Sequence, residues 1–256
     1  YIDKGYPTYP HRTLVGHSNA GTLALYSLFN QPELFNNYLA MSPQGWWSHA
    51  ETVSNAEKLA GEKRPYQHLF ISVGGEGWRY YSGTLELLAA MEQNKPSQLV
   101  WKFQHYPSRG HMSAILPALS EGLEYLFSHL NFSISPEVAK YAEVSAVTAH
   151  YAELSKKLGF VLVPPVNSYV DFAEAQAAQQ RHAAAVTTSQ TLVQAYPHLP
   201  YAHMVLGQRQ LDAGQAKEAV ASFDKALALG KAQKLDAQVL DALTDMRKKA
   251  AEKANQ

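Results

Sequence analysis

Hydrophobic positions change their spacing along this chain, and the change divides it. In the first half, short apolar runs alternate with stretches of helical period. Residues 13–16 form a brief buried run, and 35–43 a loop leading into a strand that ends at Pro43. Residues 67–73 are a continuous run of strand-forming residues stopped by Gly74-Gly75, and 99–106 alternate apolar with polar. Between these runs the period is helical. Ala20, Leu23, Ala24, Ser27 and Leu28 share one face of a helix over 19–30, which Asn30-Gln31-Pro32 ends. Helices are expected over 51–59, over 82–93 with Leu85, Leu88 and Ala89 on one face, and over 113–130. Strand and helix in alternation predict an α/β fold, a parallel sheet with crossover helices.

From about Pro136 the pattern becomes Ala-rich and helical, with residues 160–163 the one further strand candidate. Leu206-Gly207, Ala219, Phe223 and Ala226 follow one another from Gly207 at gaps of 12, 4 and 3. These are tetratricopeptide-repeat spacings, in which small residues let two antiparallel helices pack around a phenylalanine. Shifted back by 34 residues, Tyr169, Phe172-Ala173, Ala185 and Pro197 make a degenerate second copy. Residues 231–256 read as a polar capping helix. The expected organisation is a catalytic α/β part over 1–133, a helical linker over 134–166 and a tetratricopeptide-like all-α domain over 167–256.

Composition narrows the function. Of 256 residues, 46% are hydrophobic and 17% charged, with 22 basic against 22 acidic side chains. No basic field exists to attract nucleic acid, and no apolar run approaches the roughly 18 residues of a membrane span. A soluble protein is predicted, cytoplasmic or periplasmic. With no cysteine, disulfides, thiolate metal sites and a cysteine nucleophile are excluded. The 11 histidines form no metal-binding spacing, and no phosphate loop is present, so no metal or other cofactor is expected. Ile2-Asp3-Lys4-Gly5 reads as the last turn of a helix with a glycine cap, so further strands are expected upstream.

Candidate chemistry centres on Gly16-His17-Ser18-Asn19-Ala20-Gly21, a strand-turn-helix of nucleophile-elbow form. A serine hydroxyl needs such an exposed turn and an adjacent base to act as a nucleophile. Ala20 stands where the elbow's second glycine is expected, with Gly21 one place later. His111, in the loop after the last strand, is the preferred base over His105 inside that strand. His17 reads as structural, its side chain directed away from Ser18. No Asp occurs between Asp3 and Asp171, so an acid in this part of the chain is a Glu. Glu76, directly after a strand and between Ser18 and His111, fits; a Ser–His dyad without it is the alternative. The backbone N–H of Asn19 would supply half of an oxyanion hole, with no second donor identifiable upstream. Trp46, Trp47, Tyr80 and Tyr81, in loops at the carboxyl ends of strands, would line a substrate pocket.

Four blocks in order carry a resemblance: the elbow, Leu39-Ala40-Met41-Ser42-Pro43-Gln44-Gly45-Trp46-Trp47, Ser72-Val73-Gly74-Gly75-Glu76, and Tyr106-Pro107-Ser108-Arg109-Gly110-His111-Met112-Ser113. Residues 1–130 resemble the putative-esterase (esterase D-like) group of α/β-hydrolases, and within it the enterochelin, or siderophore, esterase-like serine hydrolases. Some bacterial members of this group are similar in carrying a C-terminal tetratricopeptide extension. The resemblance implies hydrolysis of a small-molecule ester by Ser18 and His111. It implies Glu76 as acid less firmly, because some members work with a dyad. Ala20 and Ser108-Arg109-Gly110 depart from the family pattern, the latter where an acidic residue is common. The alternative is an interaction protein in which the hydrolase part is inactive or secondary. There the C-terminal helices bind a protein partner or form a homodimer contact. Acyl transfer or thioester cleavage by the same residues is a third reading.

Overall fold

The computed structural model describes residues 2–6, 8–44, 54–57, 59, 64–94 and 96–256. After a short helix α1 (Ile2–Gly5) come strand β1 (Thr13–His17), helix α2 (Asn19–Asn30) and strand β2 (Asn37–Met41). Strand β3 (Gln67–Gly74), helix α3 (Trp78–Asn94), strand β4 (Leu99–Tyr106) and helix α4 (Ile115–Ser128) complete the α/β part. Seven more helices follow: α5 (Pro136–Tyr141), α6 (Ser145–Leu158), α7 (Val166–Ala178), α8 (His182–Ala195), α9 (Pro200–Asp212), α10 (Ala216–Ala232) and α11 (Ala237–Ala254). Contacts divide the chain into two units. One is residues 1–130 with Ser155–Phe160; the other is Asn131–Leu154 with Val161–Gln256.

In the first unit the four strands lie side by side in chain order, all parallel. A parallel sheet covered by helices on both faces needs strands that are apolar on both sides. The two inner strands meet that demand, and every residue of β2 and β3 is buried. Alternation then sorts their side chains. Tyr38, Ala40, Leu69 and Ile71 join Leu25 and Leu28 of α2 and Leu87 and Met91 of α3 in one core cluster. Leu39, Met41 and Phe70 turn the other way, onto Ala118 and Leu126 of α4. The strands therefore aim their carboxyl ends, with the loops after β1, β2, β3 and β4, toward one rim of the sheet.

Several expectations shift. β1 is not a buried strand: it lies at the edge of the described sheet, and Val15 is 41% exposed. α3 begins at Trp78 rather than at residue 82, and its buried face runs through Leu87, Leu88 and Met91, with Leu85 and Ala89 turned to solvent. Of the helix expected over 51–59, residues 54–57 are helical and 51–53 and 58 lie outside the described residues. Residues 160–163 are not a strand. The donors that would extend that run are missing at Pro164 and Pro165, and the Phe160 ring packs near His11 and Tyr9, at 6.3 and 6.4 Å.

In the second unit α9 and α10 begin 34 residues after α7 and α8. The correspondence reaches individual atoms. Within the first pair, buried Thr188 donates to Gln176 Oε1 at 2.7 Å; within the second, buried Ser222 donates to Gln210 Oε1 at 2.7 Å. Each pair turns on a left-handed residue at the same place, Gln180 (φ 60°) and Gly214 (φ 75°). Gly207 lies against Phe223 so closely that a Cβ there would meet the ring at 2.9 Å.

Candidate active site

The elbow after β1 is a strained turn. Ser18 has φ 59° and ψ −121°, a region that costs a non-glycine residue on the order of 1–3 kcal/mol. Its N–H donates to Met41 O of β2 at 2.9 Å, which anchors the turn to the sheet. A serine at a helix N-cap normally folds its hydroxyl back onto the first turn; Ser18 makes no such bond, so its Oγ is not engaged in capping α2. The turn closes only around small residues. A Cβ on Gly16 would lie 2.0 Å from Ala20 O, and one on Gly21 would lie 2.8 Å from Met41 O. Ala20 itself is exposed, so its methyl group meets nothing tight. The close approach usually assigned to the elbow's second glycine falls here to Gly21. Asn19 opens α2, and the N–H groups of a first helical turn have no partner in their own helix.

The candidate acid and base, Glu76 and His111, stand in the turns after β3 and β4. The Glu76 side chain is only 3% exposed, and its Oε2 lies 2.5 Å from Nδ1 of His111, whose side chain is 30% exposed. Burying a carboxylate costs several kcal/mol unless its lone pairs are matched. Here Oε1 accepts the Gly74 N–H at 2.9 Å and the Ser42 hydroxyl, while Oε2 takes His111. A carboxylate only accepts, so His111 carries its proton on Nδ1 and presents a lone pair on Nε2. The two loops are joined by backbone. Gly75 N–H donates to Arg109 O at 2.6 Å, and a Cβ on Gly75 would strike Pro107 O at 2.3 Å. The double glycine after β3 thus lets the histidine loop lie across the acid's turn. Ser113 Oγ then accepts the Gly110 N–H at 2.9 Å and shapes the turn that carries His111.

Two neighbours add to the site, and of them Ser42 was not singled out by sequence. Ser42 follows β2 with φ 44° and is almost wholly buried; its N–H reaches Ser72 O at 2.7 Å and its hydroxyl reaches Glu76. A serine before proline at a strand's carboxyl end was the available signal. His17, expected to point away as a structural residue, has its ring 4.3 Å from that of His111, and its Nε2 is 3.0 Å from His111 O. Burial holds His17 below the usual histidine range, and the neighbouring His111 adds to that. A neutral ring follows, donating through Nε2–H.

The aromatic candidates divide. Trp46 and Trp47 lie outside the described residues. Tyr80 and Tyr81 belong to the first turns of α3, not to a loop, because the chain turns at Gly77 (φ 94°) and begins the helix at once. Tyr80 comes within 5.4 Å of the His111 ring, whereas Tyr81 lies against His105 at 4.5 Å. Together with Trp78, 73% exposed, Tyr81 and His105 line a hollow of about 320 Å³ beside the Gly74–Gly77 turn. Among the described residues no group of three or more His, Asp or Glu side chains is placed to hold a metal ion, and no helix is long and apolar enough to cross a membrane.

Residues 1–111 match the model of the family described as Putative esterase. Over 117 residues the chain is 29% identical to the siderophore triacetylfusarinine C esterase of Aspergillus fumigatus, a match covering 43% of this chain and 34% of that protein. Over 46 residues it is 41% identical to the siderophore enterobactin esterase of Emericella nidulans, covering 18% of this chain and 15% of that one. The chain thus spans at most about a third of the length of these curated relatives. An IroE-like serine hydrolase from Shewanella oneidensis shares the fold, with a TM-score of 0.61 at 21% identity over 74% of this chain and 62% of its own. So does an uncharacterised protein from Capnocytophaga ochracea, with a TM-score of 0.59 at 16% identity over 98% of this chain and 71% of its own. The residues matched by the family model run through the elbow, the Glu76 turn and on to His111, and over them this chain is similar to the Putative esterase family.

Proposed function

We propose that this protein is a serine esterase in which Ser18 is the nucleophile, His111 the general base and Glu76 the residue that orients and charges the base. The observation that carries this reading is the buried Glu76 carboxylate 2.5 Å from His111 Nδ1, beside a strained serine elbow. Ser18 Oγ attacks the ester carbonyl carbon while His111 Nε2 takes its proton. The oxyanion of the tetrahedral intermediate is met by the Asn19 N–H. As the intermediate collapses, the C–O bond to the alcohol breaks and the imidazolium returns its proton to that oxygen. Water, activated by His111 in the same way, then cleaves the acyl-enzyme. Glu76 keeps the proton on Nδ1 throughout and stabilises the imidazolium between the two transfers. Tyr80, with its ring 5.4 Å from that of His111, and Tyr81 flank the path of the substrate.

The substrate class proposed is a siderophore-type ester, supported by the two relatives whose activities are of that kind. Residues 167–256 form a tetratricopeptide-like domain in this reading, supported by the 34-residue repetition of helix pairs with their matching Thr188–Gln176 and Ser222–Gln210 hydrogen bonds. That domain is the surface for a protein partner or a second copy of the chain. The test is turnover of p-nitrophenyl butyrate and of a ferric trilactone siderophore by the full chain and by Ser18→Ala. Loss of both activities in the variant is expected, with its circular dichroism unchanged. Undiminished hydrolysis by Ser18→Ala would overturn the assignment.

A further inference from the structure

An imidazole that shuttles a proton must be held at both ends. Glu76 fixes the His111 ring through Nδ1, but a ring on a loop still moves with its own backbone. The backbone of this loop is tied to neighbouring elements on both sides of the ring. Gly75 N–H holds Arg109 O at 2.6 Å, two residues before His111. At His111 itself the carbonyl oxygen has a side-chain donor, the Nε2 of His17 at 3.0 Å. A carbonyl only accepts, so the proton of the His17 ring sits on Nε2.

The origin of that donor is what gives it meaning. His17 is the last residue of β1 and the immediate neighbour of Ser18. Its ring also packs on the His111 ring, with centroids 4.3 Å apart and planes at 45°. One side chain therefore ties the strand that carries the nucleophile to both backbone and ring of the residue that takes its proton. β1 and β4 do not touch in the sheet, since β2 and β3 lie between them. Without His17, the spacing between Ser18 and His111 would depend on the sheet and on loops from opposite edges.

We infer that His17 is a positioning residue for the reaction: through its hydrogen bond to the His111 carbonyl and its ring contact, it sets the distance between nucleophile and base. This rests on the esterase reading above. Burial and the neighbouring His111 hold the His17 ring below the usual histidine range, which keeps it neutral beside an imidazolium that forms and discharges in every cycle. A second cation at that place would oppose the proton transfer.

The test compares His17→Phe, which keeps a ring and removes the donor, with His17→Gln, which keeps an N–H donor at similar reach. Full-length protein is assayed with p-nitrophenyl butyrate, and Ser18 is titrated with a fluorophosphonate probe. A misplacement of about 1 Å costs on the order of 10²-fold in rate, so His17→Phe is expected to lose about that factor in kcat. Its KM should stay within about twofold of wild type, because substrate contacts are untouched. His17→Gln is expected to regain most of the loss, and thermal melting of both variants should follow wild type. A merely structural histidine predicts lowered melting without rescue of kcat by Gln. Wild-type turnover in His17→Phe, or equal loss in both variants, overturns the inference about His17. If wild-type Ser18 itself is not labelled, the esterase reading falls and this inference with it.

Discussion

Replacing Glu76 by glutamine separates a triad from a dyad, and the structure predicts its effect in detail. Glu76 Oε1 faces two donors, the Gly74 N–H at 2.9 Å and the Ser42 hydroxyl, and the first is backbone and cannot reverse. In Glu76→Gln the amide oxygen must keep that side, and the NH2 group must then face His111 Nδ1. Two donors cannot share a bond, so His111 shifts its proton to Nε2 and turns an N–H toward Ser18. The ring that should accept the serine proton is then in the wrong tautomer. An isosteric change of this kind in a serine triad lowers kcat by about 10⁴-fold. At about 1.4 kcal/mol per factor of ten, that is roughly 5.5 kcal/mol of barrier. Folding should suffer far less, by about 1–2 kcal/mol, since one charge-assisted bond becomes a neutral one. Steady-state kcat with p-nitrophenyl butyrate, alongside the melting temperature, measures both. A variant within about tenfold of wild type would refute the tautomer argument and leave Ser18 and His111 acting as a dyad.

Three further outcomes follow from the same contacts. Ser42→Ala removes one of the donors to Glu76 Oε1 and should lower kcat about tenfold by loosening the acid; unchanged kinetics would show that Gly74 alone suffices. Gly75→Ala places a Cβ 2.3 Å from Pro107 O and should cost up to about 3 kcal/mol of stability, visible as a lower denaturation midpoint; a wild-type midpoint would contradict the close packing of the two loops. His68 is pushed down to about 3 by burial first, and then by the charges of His129 and His11. Below its unfolded value near 6.5 the unfolded chain binds the extra proton, so stability should fall as pH drops from about 6.5 toward 3. Urea midpoints at pH 7 and pH 5 test this, with His68→Gln flattening the slope; a pH-independent midpoint in wild type would contradict it.

The candidate site was legible in the sequence where its parts are local. A parallel strand buried on both faces writes itself as an unbroken apolar run, as 67–73 does, and the residue that follows such a strand is placed by the sheet alone. Glu76 stands after such a strand, while Ser18 and His111 follow the outer strands β1 and β4, which are only partly buried. What escaped depends on backbone torsion or on partners distant in sequence. The aromatic run after Gly77 reads as a loop, yet a left-handed Gly77 starts α3 immediately and carries Tyr80 to His111. Leu85-Leu88-Ala89 and Leu87-Leu88-Met91 are both helical stripes sharing Leu88, and only the sheet decides between them. Ala20 looked like a defect in the elbow because the tight contact had moved to Gly21. Ser42 and His17 make their contacts across 34 and 94 residues of chain, and no local pattern names the partner of either.

The central claim is that Ser18 is a nucleophile activated by His111. Intact mass of the full chain after exposure to a fluorophosphonate, with the modified peptide sequenced, tests it most directly. The account predicts a single phosphonyl adduct on Ser18, absent from Ser18→Ala and strongly slowed in His111→Ala. An unmodified Ser18, or labelling that persists in Ser18→Ala, would contradict it.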